Sequence, residues 1–131
     1  MDTDIERRVF AGGSLVLGLG VALGAFGAHA LKASLSAKML ATFETGVRYQ
    51  MYNGLGLLAV AWAISRWPEQ RLMPAAWLLF GGTVVFSGSL YLLVLTGTRW
   101  LGAITPFGGV ALIAGWSVIA WRLVAPRSTS T

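Results

Sequence analysis

The sequence predicts an all-α integral membrane bundle of four transmembrane helices, with a short interfacial helix between the first and second. Four apolar runs, at about 9–30, 49–67, 74–96 and 101–124, are each close to the length a helix needs to cross roughly 30 Å of hydrocarbon. Only 11% of the residues are charged, against about 25% in soluble domains, so little is left to cover a surface in water. The 17 Gly and 6 Trp fit membrane helices, where Gly is frequent and Trp anchors at the interface.

The elements follow in order within a single domain, 1–131. Residues 1–8 are polar and read as a short exposed tail. The run from Val9 to Ala30 follows Arg7 and Arg8 and ends in Ala28-His29-Ala30, which looks like a signal-peptide cleavage site. It is longer than the roughly 7–15 residues of a signal core, so it reads as a retained first helix. Leu35, Met39 and Phe43 then recur at helical spacing, with Ser36 placed to cap the start. This stripe predicts a short helix lying in the interface, followed by a bend at Gly46.

The second span, from about Tyr49 to Trp67, opens on polar residues and stops before Pro68, since a residue preceding proline avoids the helical region. Pro74 suits the first turn of the third span, where its missing N–H costs nothing. Gly97 suits a left-handed stop. For the fourth, two readings compete: Pro106 kinks a long helix, or Thr105 caps a helix that starts at Pro106. The second is preferred, and it leaves 102–104 as a non-helical lead-in. Residues 125–131 read as a polar tail.

The net charge of +5 comes from scattered Lys and Arg that flank the apolar runs. This favours a lipid bilayer as the partner, not nucleic acid. With four spans, Arg7, Arg8, Arg66, Arg71, Arg122 and Arg127 share the side of the termini, and Lys32, Lys38, Arg48 and Arg99 lie opposite. The positive-inside rule then puts both termini in the cytoplasm.

Small residues should let the helices approach. Gly20, Gly24 and Ala28 recur at four-residue spacing on the first helix, and Ala111 and Gly115 do so on the fourth. Polar groups gather at the end opposite the termini: His29, Lys32, Glu44, Arg48, Tyr49, Gln50, Asn53, Arg99 and Thr105. Glu44 and Arg48 are one turn apart and can pair. His29 is the residue that would titrate near neutral pH. These groups are candidates for a small-ligand or proton site, but a polar rim that fixes the interfacial helix and satisfies helix ends is the favoured reading. Ser87, Ser89 and Tyr91 in the third span are read as hydrogen-bonding within or between helices. No metal or cofactor is expected: there is no Cys, one His and no phosphate-binding loop. No nucleophile with its base is visible, so catalysis is not expected.

Several runs together resemble a known family. They are Gly24-Ala25-Phe26-Gly27-Ala28-His29 with Leu31-Lys32, then Phe43-Glu44-Thr45-Gly46-Val47-Arg48-Tyr49-Gln50-Met51-Tyr52. Later come Ser87-Gly88-Ser89-Leu90-Tyr91, Leu95-Thr96-Gly97, Leu101-Gly102-Ala103-Ile104-Thr105-Pro106-Phe107-Gly108-Gly109 and Gly115-Trp116. In this order they resemble the small membrane proteins grouped as "domain of unknown function 423". The resemblance implies a multi-pass protein of the bacterial cytoplasmic membrane and no settled activity. Members often carry His where this chain has Asn53, so a two-His site is put in doubt and a neutral hydrogen-bonding role is favoured.

The expected protein is a homo-oligomer of unknown biochemical activity with a polar site near the non-cytoplasmic face. The rivals are a small-molecule or proton-coupled transporter or channel, and an accessory subunit of a larger membrane complex. Proton-coupled export would have to run through Glu44 or His29, since the first span holds no acid.

Overall fold

A computed structural model describes residues 3–126. Every regular element among them is helical: α1 (Thr3–Phe26), α2 (Ala37–Arg66), α3 (Met73–Thr96) and α4 (Thr105–Val124). A π-helical turn, Gly27–Leu31, extends α1. Short 3-10 segments, Pro68–Gln70 and Arg99–Ala103, lead into α3 and α4. Thr3–Leu31, Met73–Thr96 and Arg99–Val124 are long and apolar enough to cross a membrane.

The helix ends follow local chemistry. The Met39 N–H donates to the Ser36 hydroxyl at 3.2 Å, as a cap should. Pro74 sits in the first turn of α3. Gly97 ends α3 at φ 68°, and its N–H donates to the Leu93 carbonyl at 2.9 Å. The connection between α2 and α3 turns on Arg71, which adopts φ 49°. Arg122 of α4 donates to the Gln70 and Arg71 carbonyls and ties this turn down.

Four expectations need correction. The polar tail is shorter, because Thr3–Arg8 already form the first turns of α1; residues 1 and 2 lie outside the described residues. The separate interfacial helix and the bend at Gly46 are replaced by one continuous helix of 30 residues. The stripe of Leu35, Met39 and Phe43 is real, but it packs inward. Phe43 is fully buried with Leu31 and Val94, and Leu35, Met39 and Tyr91 surround them. Gly46 does not bend the chain; it admits the Tyr91 ring, whose edge would lie 2.8 Å from an added Cβ.

The fourth correction concerns the lead-in to α4. Residues 99–103 are 3-10 helical, and Ile104 occupies the cap position in place of Thr105. Bonds from Ile104 N–H to Leu101 and from Phe107 N–H to Ile104, both at 3.0 Å, keep this backbone satisfied. A lipid-facing segment requires that. At the other end of the chain, residues 127–131 of the expected tail lie outside the described residues.

The helices pack in sequence, α1 on α2, α2 on α3 and α3 on α4, while α1 only brushes α3. The arrangement leaves α2 and α3 inside and α1 and α4 at the flanks. The apolar core lies toward the end bearing the termini, around Val16, Leu57, Val60, Leu79 and Leu112. A second cluster under the π turn closes the opposite end.

Close approach depends on glycine at a few positions. An added Cβ would stand 3.0 Å from the Gly54 carbonyl at Gly13, 2.7 Å from the Met51 sulfur at Gly20 and 2.9 Å from the Phe43 ring at Gly27. These glycines recur every seven residues and line the seam between α1 and α2. Gly24 also packs, against Val47. Ala28 does not: Gly27 falls on the α2 face with Gly20 and Gly24, and Ala28 is exposed. On α4 the seam is Gly108 and Gly115, with Ala111 against Gly82 of α3. At Gly108 an added Cβ would strike the backbone nitrogen of Phe86.

Candidate functional site

Most polar side chains inside the bundle form cross-links between helices, while Thr83 bonds within α3 to the Leu79 carbonyl. Gln50 of α2 donates from its amide to the Val16 carbonyl of α1 at 2.9 Å. Tyr91 of α3 donates its hydroxyl to Gln50 Oε1 at 2.6 Å. Ser87, one turn before Tyr91, donates to the Gly46 carbonyl at 2.6 Å. Asn53 of α2 donates to the Tyr49 carbonyl at 2.8 Å and accepts from Trp116 Nε1 of α4 at 3.0 Å. Ser89 and Thr105 join α3 to α4 through their hydroxyls at 2.6 Å.

Each of these bonds replaces water that a bilayer interior does not supply. Gln50, Asn53, Ser87 and Ser89 are all buried. Among the described residues no buried side-chain nitrogen or oxygen lacks a partner. Gln50 stands against Val16, near the middle of the stretch Thr3–Leu31. The amides are therefore deeper than the vestibule at the far end in which the sequence grouped them.

The remaining candidates face outward. His29 and Lys32 are exposed on and after the π turn, and Arg99 is exposed at the start of the 3-10 lead-in to α4. Glu44 and Arg48 are exposed on α2. No ion pair joins them; Arg7 and Asp4, at 3.6 Å, do form one. Tyr49 is partly exposed and packs against Phe86, with ring centroids 4.7 Å apart. The structure thus brings Gln50, Asn53 and Thr105 into the interior network. It leaves His29, Lys32, Glu44, Arg48 and Arg99 on the surface.

Trp116 is the network member that residue-level reading overlooked. Its indole lies over Gly56 of α2, where no Cβ would fit, and its N–H reaches Asn53. Nothing in local spacing links Trp116 to Asn53, 63 residues away. Ser87 and Tyr91 were more legible, since four-residue spacing sets them on one face.

Two grooves flank the interior helices. One, of about 540 Å³, opens between α2 and α4 and is walled by Tyr49, Tyr52, Asn53, Phe86, Ile113 and Trp116. The other, of about 340 Å³, opens between α1 and α3 near the termini and has Leu57 of α2 at its floor.

A family profile described as "Protein of unknown function (DUF423)" matches residues 23–109. The chain belongs to that family. Members of it that resemble this chain include a UPF0382 membrane protein of Staphylococcus haemolyticus, 50% identical over 107 residues, which are 82% of this chain and 87% of that one. A UPF0382 membrane protein of Staphylococcus saprophyticus is 51% identical over 107 residues, 82% of this chain and 88% of its own. The UPF0382 membrane protein YwdK of Bacillus subtilis is 49% identical over 102 residues, 77% of this chain and 83% of its own. No solved structure matches the chain. The family match and three apolar helices make this a membrane protein with transmembrane helices.

Proposed function

We propose that the chain crosses the bacterial cytoplasmic membrane four times, termini inside, and acts as a homo-oligomer whose copies meet through the outward face of α2. It is proposed to bind or conduct at that shared face, and not to act as an enzyme. The observation that carries this reading is the exposure of Arg48 on α2, which four crossings would set at membrane depth. Gln50 packs at Gly20 and Val47 at Gly24, so Arg48 lies level with the residues between them, about 8 Å from the middle of the first span. Half the hydrocarbon thickness is about 15 Å. A charge at that depth is costly and calls for a partner.

Glu44 lies one turn away on the same exposed face and does not supply that partner within the chain. Two copies related by a two-fold axis would set Glu44 of each against Arg48 of the other, the self-complementary pattern of an isologous contact. Removing Arg48 from the loop charges leaves Lys32, Lys38 and Arg99 against Arg7, Arg8, Arg66, Arg71, Arg122 and Arg127. This widens the positive-inside bias toward cytoplasmic termini. Exposed Trp62, Trp77 and Trp121 form a belt at the end of the termini, with Trp100 at the other end; such belts sit at headgroup level.

Because Glu44 faces outward, a proton or solute route through it would run between copies. Glu44→Gln and Arg48→Gln should each shift the protein toward monomer in native mass spectrometry from mild detergent. The charge exchange Glu44→Arg with Arg48→Glu should restore the oligomer. Wild-type assembly in both single variants would overturn the contact, and a fixed complex with a different protein would favour an accessory subunit.

A further inference from the structure

The groove between α1 and α3 is apolar along its length and carries a cation at its mouth. Val9, Gly12, Ala76, Phe80 and the floor residue Leu57 supply the apolar walls, and Arg8 is the charged side chain among those that line it. Trp77 stands at the rim, exposed, with its ring edge-on to Phe80 at 6.4 Å. The volume of about 340 Å³ is at the low end for small-ligand sites. It suits one hydrocarbon chain and not a whole amphiphile.

Of the other basic groups at this end, three have partners in the chain, and Arg71, on the α2–α3 turn, does not line the groove. Arg7 pairs with Asp4, Arg66 lies over the Trp67 ring at 5.8 Å, and Arg122 donates to the carbonyls of the α2–α3 turn. Arg8 is exposed and makes no hydrogen bond or ion pair with another described residue. It also stands at headgroup depth. Gly13 packs against Leu57 and Gly20 against Gln50, so the antiparallel register sets Arg8 level with Trp62 in the aromatic belt.

We infer that this groove holds an anionic phospholipid, with one acyl chain between α1 and α3 and the headgroup phosphate on Arg8. An apolar slot alone would take any lipid. A cation at the mouth adds selectivity for negative charge, worth roughly fivefold for one basic residue near the surface. The inference rests on the membrane placement proposed above but uses no residue of the α2 face, so the two fail separately.

The full chain in a nonionic detergent is titrated with phosphatidylglycerol or phosphatidylcholine of identical acyl chains, and bound lipid is counted by native mass spectrometry. One phosphatidylglycerol per chain is expected, with roughly fivefold preference over phosphatidylcholine. Arg8→Gln should erase the preference, and Arg7→Gln should leave it. Gly12→Leu should lower retention of both lipids, because its side chain would enter the slot and an added Cβ there meets nothing nearer than Phe80 at 4.0 Å. Equal retention of the two lipids by the wild type, or an undiminished preference in Arg8→Gln, overturns the proposal. Displacement of phosphatidylglycerol by excess inorganic phosphate overturns it too, by showing a free-anion site.

Discussion

Tyr91 and Gln50 meet at 2.6 Å inside the bundle, and Gln50 passes the connection on to the Val16 carbonyl. Three helices are joined by one side chain. In water such a group would exchange these bonds for solvent at little cost, but in lipid its alternatives are other protein groups. A double-mutant cycle with Tyr91→Phe and Gln50→Leu should give a coupling energy of about 0.6 kcal/mol and at most about 1.7 kcal/mol, the average and the maximum found between membrane helices. Unfolding in mixed micelles reads it, and a coupling near zero would mean that the bond is not formed. The polar residue types were legible in the sequence, and so was their concentration at 48–53, in the middle of α2. Their partners were not, because Gln50–Tyr91 and Asn53–Trp116 span 41 and 63 residues. One-dimensional spacing carries no information about such pairs. Asn53 shows the consequence: both of its bonds are neutral, one to its own helix and one to the indole that closes α4 onto α2.

At the scale of elements, most helix limits were readable from capping chemistry, as Ser36, Pro74 and Gly97 show. The interfacial helix was misread for a physical reason. An apolar stripe reports that one face is buried but not what buries it. Leu35, Met39 and Phe43 pack under the π turn of α1, so the helix that carries them runs straight on into α2. The glycine seam was half visible. Four-residue spacing found Gly20 and Gly24 and passed over the seven-residue repeat Gly13, Gly20, Gly27. Close packing at these glycines can be tested on α4. Gly108→Ala should destabilise by about 1–3 kcal/mol, as overpacking does, because its methyl would meet the α3 backbone. Gly81→Ala meets nothing within 4 Å and should be neutral or stabilising, by up to about 1 kcal/mol. Thermal unfolding of the two variants separates a packing effect from helix propensity.

Across the whole molecule, α2 is the helix that departs from the simple picture. It is the longest of the four and falls outside the set that is apolar enough to span by composition alone. It is also an interior helix, flanked by α1 and α3, with its amides satisfied by those neighbours. A helix shielded in this way can cross a bilayer with less apolar surface than one surrounded by lipid. The charges it cannot bury, Glu44 and Arg48, are left on one outward face, the face proposed above for contact with a second copy. The α1–α3 groove with Arg8 adds a lipid contact on a separate surface. Both depend on α2 crossing the membrane antiparallel to α1.

That crossing can be measured directly, because the chain contains no Cys and each introduced thiol is unique. Ser34→Cys, Thr98→Cys and Glu69→Cys are placed singly in the full chain in cells and exposed to a membrane-impermeant maleimide. Four crossings with cytoplasmic termini predict that positions 34 and 98 label in intact cells and position 69 only after permeabilisation. Labelling of position 69 together with position 34 in intact cells would mean that α2 does not cross, and would contradict the account.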